Sequence, residues 1–591
     1  MNIFDERIAR LQEAMKKDGI KAFVIPATDP HMSEMYAPRF GAARFYFCAF
    51  EGEDGTLLVT QDQNYLYTDG RYWTEAKMEL AGTKCTLVYS GKAGVPSMSD
   101  FVKDNDLYPL GLDASLFSLS DLRKFYLDDA HPIISLSYDR LVENMPSIPQ
   151  DKIFRIDPAL LSTTHEERVK NILAMAKKNG AKNVLLTSLD DIAYVLGYRG
   201  HDVSCTPVFY SYLYLEEDGT QDLFIDSAKL PKDFKEDHVV IHPYDSLLSF
   251  LDSHNPIATL VDPKRTNALL CSHIENRIYA TSPAYLLKAV KGPVEIKNIR
   301  KVHEIDGYAV LKLMKYIDDE IDSGYLNEEK CAEYVDGVRR ANPLCFDLSF
   351  GTIAAADSNA AMMHYAPTPK KHSPLTRYNQ LLLVDSGGQY YGGTTDITRT
   401  FIVSKNPSAE VKKDYTLTLK SQIALSTQVF ELNSTGHTID IAAREVMWKE
   451  GMDYKCGTGH GVGYMSCVHE GPVGFRYYDS PDRDDKGTLV PGHVITIEPG
   501  VYKDGKYGIR LENELLVVPA FETSDGIFYQ FETITYCPYD ARGIDVSLLS
   551  DSEIAWVNAY SKTVEEKLAP LCAKEPELLA YLRKVTAPLH R

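Results

Sequence analysis

The chain is short of positive charge, with 63 Lys and Arg against 83 Asp and Glu, a net charge of -20, and its isoelectric point lies near 5.3. Phosphate backbones and anionic lipid surfaces are bound through clustered Lys and Arg. Neither nucleic acid nor membrane is therefore expected as a partner. Long hydrophobic runs are also missing, and none approaches the ~20 residues of a membrane span. Met1 to Lys17 is charged, carries Ile8, Leu11 and Met15 on one helical face, and lacks the continuous apolar core of a signal peptide. The ten cysteines, at positions 48, 85, 205, 271, 331, 345, 456, 467, 537 and 572, include no CxxC and no tight spacing. That usage suits reduced thiols in a cytoplasm rather than a disulfide framework.

What is present is ordinary globular material in quantity. The 591 residues, 44% hydrophobic and 25% charged, suffice for three or four domains. An internal repeat divides the first half. Glu6-Arg7-Ile8 and the following Met15 to Val24 match Glu167-Arg168-Val169 and Ala176 to Leu185 at a constant offset of 161, and the register holds to Asp29 and Asp190. Each copy reads as helix, glycine cap and short buried strand, followed by a strand pair ending in an acid, Leu57 to Asp69 and Tyr212 to Asp226. Two α/β domains of one fold are expected, over 1–156 and 157–292, with boundaries at Asp157-Pro158 and in Ser282 to Pro293. From Glu295 a long amphipathic helix, with Val310, Leu313, Met314, Ile317 and Ile321 at helical spacing, opens a third domain over 293–538. Helices between Glu553 and Leu582 make up an extension over 539–591.

The acidic residues of the third domain fall at the ends of apolar strands. Leu381 to Val384 reads as a buried strand ending in Asp385, and Asp396 follows eleven residues later in a β-rich run. Ile495-Thr496-Ile497-Glu498 and Ile509-Arg510-Leu511-Glu512 flank a loop with the turn signal Asp504-Gly505, so a second hairpin carries a second carboxylate pair. Between the hairpins lies Gly457-Thr458-Gly459-His460-Gly461-Val462-Gly463. Four carboxylates and an imidazole on apolar strands cannot all be buried and ionised without a counter-charge, because unpaired buried ions cost several kcal/mol each. A pair of divalent cations supplies it, and such a centre suits a substrate with a free ammonium group. An aspartic-protease reading of Leu383-Val384-Asp385-Ser386-Gly387 fails, since that chemistry needs two such loops, and the other Asp-Ser-Gly, at Asp322 to Gly324, ends a helix.

Asp, eleven residues, Asp, then Gly-His-Gly, Glu-Pro-Gly and a Glu in an apolar strand resembles the dinuclear metallopeptidases of the pita-bread fold, the group of methionine aminopeptidase, prolidase and X-prolyl aminopeptidase. Two tandem domains ahead of that motif and an extension behind it resemble the three-domain X-prolyl aminopeptidases over nearly the whole chain. The resemblance implies an α/β and α+β protein: two tandem creatinase-like N-terminal α/β domains, a pita-bread metallopeptidase domain and a C-terminal helical extension. It implies a metalloaminopeptidase that hydrolyses the N-terminal Xaa-Pro bond of peptides with a metal-bridging hydroxide, and a homodimer. Prolidase activity on Xaa-Pro dipeptides is the alternative, and a non-catalytic pita-bread peptide-binding protein a further one, although such proteins have lost the ligands that this chain keeps.

By motif match, the resemblance places the first metal on Asp385 and the second on His460 and Glu498, with Asp396 and Glu512 bridging both. Oxygen-rich ligation with one imidazole suits Mn(II), with Co, Fe or Zn as alternatives. His469, in Val468-His469-Glu470-Gly471-Pro472, and His364, in Met363-His364-Tyr365, match the non-ligand histidines that contact the scissile carbonyl and orient substrate, and Glu498 also takes the proton-transfer role. Many relatives carry His four residues before the ligand His, where this chain has Cys456, a neutral thiol expected to pack beside the site. Arg71, in Thr68-Asp69-Gly70-Arg71, matches an element that approaches substrate in relatives, and reads equally as a turn residue paired with Asp69.

Overall fold

A computed structural model describes residues 2–128, 130–138, 141–478 and 485–591. The chain divides into two compact units, Met1–Ile156 with Thr163–Leu287, and Asp157–Ser162 with Lys288–Arg591. The sequence reading puts 157–162 at the head of the second domain. In the structure this stretch packs with the second unit, where Ser162 exchanges hydrogen bonds with Glu295 at the start of the long helix.

The first unit holds two six-stranded sheets. In one, Ala22–Ile25 lies between the antiparallel strand Thr56–Thr60 and the parallel strand Leu110–Leu112; in the other, Asn183–Leu186 lies between Ser211–Leu215 and Thr259–Val261 with the same directions. The outer strands repeat the match, so both sheets have one strand order and one set of directions. Each copy opens with its amphipathic helix, Ile3–Asp18 burying Ile8, Leu11 and Met15, and His165–Lys178 burying Val169, Ile172 and Ala176. The alternating apolar face of each helix covers its sheet, as an amphipathic period requires.

The two copies are joined by a buried polar contact. His31 Nδ1 lies 2.7 Å from Thr187 O and its Nε2 lies 2.8 Å from the Tyr244 hydroxyl. A carbonyl only accepts, so Nδ1 carries the proton and Nε2 accepts from Tyr244. Burial pushes His31 down to about 3. The unfolded chain takes up this proton near pH 6.5, while the folded chain refuses it until about 3, so stability is complete above 6.5 and falls as pH drops through that window. Asp29, pushed up to about 6 by burial, acts in the opposite sense with the smaller shift. As pH falls from 7 to 4.5, the denaturant midpoint of the native protein is expected to drop relative to that of His31→Gln, in which only the opposing Asp29 contribution remains; equal slopes would remove His31 as the cause.

In the second unit the helix Pro293–Glu320 buries Val310, Leu313, Met314 and Ile317, and one core joins it to the strands Ile353–Ala356, Leu381–Ser386 and Ile397–Ile402 and to the helices Asp551–Cys572 and Pro576–Val585. Leu381–Ser386 is the middle strand of its sheet, with all six residues buried. Opposite lies a four-stranded sheet that includes Val494–Ile497 and Asn513–Thr523. Among the described residues the ten cysteines are thiols rather than disulfides.

Candidate metal centre

The acidic residues sit where ladders are interrupted. Val494–Ile497 pairs with the start of Asn513–Thr523, as Ile497 opposite Asn513, and Gly500–Lys503 pairs with Tyr507–Arg510, as Gly500 opposite Arg510. Glu498 and Glu512 fall in the gap between these two ladders rather than on the hairpin strands that the sequence suggests. Their backbone N–H groups leave the hairpin: Glu498 donates to Thr458 O at 2.7 Å and Glu512 to Thr398 O at 3.0 Å. Asp396 likewise lies in a break, between Gly393–Thr394 and Ile397–Ile402, while Asp385 stays on its strand opposite Thr398. Freed of ladder geometry, the carboxylates turn toward one another.

His460 arrives on the short strand Gly459–His460, and its N–H donates to Thr496 Oγ1 at 3.1 Å. A Cβ on residue 459 would lie 2.0 Å from Thr496 O, so this approach requires glycine. His460 Nδ1 faces its neighbour's carbonyl, Gly461 O, at 3.0 Å, which keeps the proton on Nδ1. The Nε2 lone pair then points at acceptors, 3.4 Å from Asp396 Oδ2 and 3.6 Å from Glu498 Oε1.

Asp396, His460 and Glu512 each offer a ligand atom, and these atoms lie within 4.8 Å of one another. Burial, then the neighbouring Asp385 and Glu498, push the Asp396 carboxyl well above the usual range; burial, then Asp396 and Asp385, do the same to Glu512. One oxygen of Asp385, Oδ1, is buried without a hydrogen-bond partner. Acceptors facing acceptors, an orphaned carboxylate oxygen and carboxyls driven toward neutrality share one remedy, a cation among them. The oxygen-rich donor set with one imidazole fits divalent ions.

The five predicted ligands are thus brought together. His469 joins them, its ring 4.2 Å from that of His460 and nearly perpendicular to it. His364 is half-buried in a turn next to Met363, whose carbonyl lies 3.5 Å from Arg510 Nη2. Cys456 packs with Leu417, Met447, Tyr454 and Val501, and burial, helped by Glu498, pushes its thiol up to about 12. It stays protonated and packs as expected. Arg71 is in the first unit, with Nη2 2.8 Å from Asp69 and 3.0 Å from Asp54.

Sequence reasoning missed the residues that hold the ligands. Arg510 is buried and donates to Asp385 Oδ2 at 2.6 Å, to Thr398 Oγ1 at 3.1 Å and to the Tyr502 hydroxyl at 2.9 Å. Thr398 in turn donates to Glu512 Oε2 at 2.8 Å. One guanidinium therefore braces Asp385 directly and Glu512 through Thr398, in the fork geometry that only Arg supplies. Glu514 accepts the Asp396 N–H at 2.7 Å and faces His303 Nε2 at 3.1 Å. The available signal was alternation: Arg510 and Glu514 stand two places before and after Glu512, on its face of an extended segment.

Comparison with known proteins finds matching family models along most of the chain. Models of the creatinase/prolidase N-terminal domain match residues 7–130 and 144–295, that of metallopeptidase family M24 matches 297–519, and that of the C-terminal region of peptidase M24 matches 527–589. Xaa-Pro aminopeptidase 1 of Dictyostelium discoideum is 32% identical over 99% of this chain and 96% of its own length. The chain belongs to metallopeptidase family M24. Among other M24 relatives, Xaa-Pro aminopeptidase 2 of Rattus norvegicus is 32% identical over 99% of this chain and 88% of its own. The X-prolyl aminopeptidase of Caenorhabditis elegans, described as a cytosolic enzyme with a di-nuclear active site, superposes with a TM-score of 0.93 at 30% identity over 99% of both chains. This M24 member thus has the fold class expected, tandem creatinase-type domains before a pita-bread domain and a C-terminal helical region. Among the described residues no helix is long and apolar enough to cross a membrane.

Proposed function

We propose that this M24 member is an Xaa-Pro aminopeptidase, a metallohydrolase that removes the N-terminal residue from peptides whose second residue is proline. The observation that carries the reading is the cluster of buried Asp396 and Glu512 with half-buried His460, their ligand atoms within 4.8 Å of one another, in a chain that aligns over 99% of its length with an Xaa-Pro aminopeptidase. Asp385, Asp396 and Glu512 would hold one ion, and Asp396, Glu512, His460 and Glu498 the other, Mn(II) being the ion that this donor set suits best. Bound there, the ions would make water a nucleophile at neutral pH by lowering its pKa and would polarise the scissile carbonyl.

The chain's own residues do the rest. Asp385 lies nearest the free amine of the substrate and orients it. Glu498, with 22% of its side chain exposed where Glu512 is buried, has the access needed to carry a proton to the leaving proline nitrogen. His469 donates to the oxygen on which charge develops. His364 holds the carbonyl or the downstream chain. An Xaa-Pro bond is a tertiary amide with no N–H, so its peptidase selects by ring shape and by protonating the departing nitrogen. We further propose a cytoplasmic homodimer, formed largely through the catalytic domain, with domains divided at 156, 292 and 538; light scattering that gives a monomer would remove the dimer.

Substrate comparison tests the activity. Xaa-Pro-Yaa peptides are expected to be cleaved at least ~10-fold faster than either Xaa-Pro dipeptides or an Xaa-Ala-Yaa series. Faster cleavage of the bare dipeptide would make the protein a prolidase, and equal cleavage of the alanine series would end the proline requirement.

A further inference from the structure

The segment between His460 and His469 is a loop closed at its neck. The Glu470 N–H donates to Gly461 O at 2.8 Å and the Gly461 N–H to Val473 O at 3.0 Å. A Cβ on residue 461 would lie 2.0 Å from Glu470 O, so the two arms meet this closely only because one of them carries glycine. His460 and His469 flank the neck. Inside it lies an ion pair that the proposed chemistry does not use: Lys291 Nζ donates to Glu470 Oε1 at 2.9 Å and to Val462 O at 2.6 Å, with side chains only 2% and 1% exposed. Lys288 Nζ stands 3.4 Å from the other oxygen of Glu470. Lys291 is itself fixed, its N–H donating to Gly492 O at 3.0 Å.

Buried ion pairs add little stability over apolar residues of the same volume, because desolvation consumes most of the Coulombic gain. An ammonium does what an apolar side chain cannot. With one atom it holds the carbonyl two residues after His460 and the carboxylate one residue after His469. We infer that Lys291, through Glu470, is a positioning residue that sets the spacing of His469 from His460, and so the place at which His469 meets the scissile carbonyl. The inference rests on the reading of His469 as the group that stabilises the developing oxyanion. A misplacement of about 1 Å in such a group costs on the order of 10²-fold in rate, and binding that does not change between ground and transition state is untouched.

The test is a double-mutant cycle in the full-length, metal-loaded protein. Lys291→Met and Glu470→Gln are each made with His469 intact and in a His469→Ala background, and kcat, KM and bound metal are measured on an Xaa-Pro-Yaa tripeptide. With His469 intact, each substitution is expected to lower kcat by ~10²-fold, with KM within about two-fold and metal content unchanged. In the His469→Ala background the same substitution is expected to cost less than about three-fold, since residues that act as a unit are not additive. An equal cost in both backgrounds, or no cost, would overturn the inference, and loss of metal would place the effect on His460 instead and overturn it too. Should Lys291→Met fail to fold, the isosteric Glu470→Gln decides alone. His469→Ala with unchanged kcat would overturn the catalytic reading of His469, a separately visible result, and the positioning role with it.

Discussion

Replacing Glu512 or Asp396 by alanine is expected to abolish turnover, by roughly 10³-fold or more, and to deplete both metal ions together, whereas Asp385→Ala depletes mainly one. Both residues stand at the centre of the cluster, buried, and each is pushed toward neutrality first by burial and then by the other carboxylates. A ligand so placed serves two ions, and its loss exposes each to the repulsion the others leave behind. The fold should survive, because removing one of several crowded carboxylates relieves that repulsion in the metal-free chain. Adding Mn(II) should accordingly raise the unfolding midpoint of the native protein and leave that of Glu512→Ala almost unmoved, as binding to the folded state alone requires. Circular dichroism and elemental analysis of the same samples separate this outcome from misfolding. A Glu512→Ala protein that kept both ions would refute the bridging role.

Acetylating the amine of an Xaa-Pro-Yaa substrate is expected to lower kcat/KM by about 10³-fold. The substrate amine is received beside Asp385 while the ions balance the other carboxylates, and an ammonium about 4 Å from one unit negative charge gains on the order of 4 kcal/mol at an effective dielectric of 20, about three decades in rate. Acetylation removes that charge and adds bulk at the place where Asp385 receives it. Ionic strength tests the electrostatic share: raising salt should weaken the free-amine substrate more than the acetylated one. Equal turnover of the two substrates would show that the protein does not read the N-terminus, and so is no aminopeptidase.

The sequence discloses the ligands and hides their supports, for a physical reason. Asp385, Asp396, His460, Glu498 and Glu512 break the apolar pattern of the strands around them, which makes them visible as polar groups among buried neighbours. Their placement was harder. The hairpin reading puts Glu498 and Glu512 on paired strands, but ladder register is set by partners distant in sequence, and the structure leaves both in a gap whose backbone donors go to Thr458 and Thr398. Arg510 was in plain view two residues before Glu512, yet nothing local shows that its guanidinium crosses to Asp385, 125 residues away. The Lys291 to Glu470 contact spans 179 residues and has no periodic signature at all. The duplication was legible because both copies keep helix, glycine and strand in one register, and their sheets share strand order and direction.

Counting metal in the fully active, full-length protein tests the central claim most directly. Protein purified without chelator and brought to constant specific activity with Mn(II) is passed through a desalting column, and ions per chain are measured by elemental analysis alongside turnover of an Xaa-Pro-Yaa peptide. Two ions per chain, with activity rising in step as they are restored to metal-free protein, is the expected result. Full activity with a single ion, or with none, would contradict it.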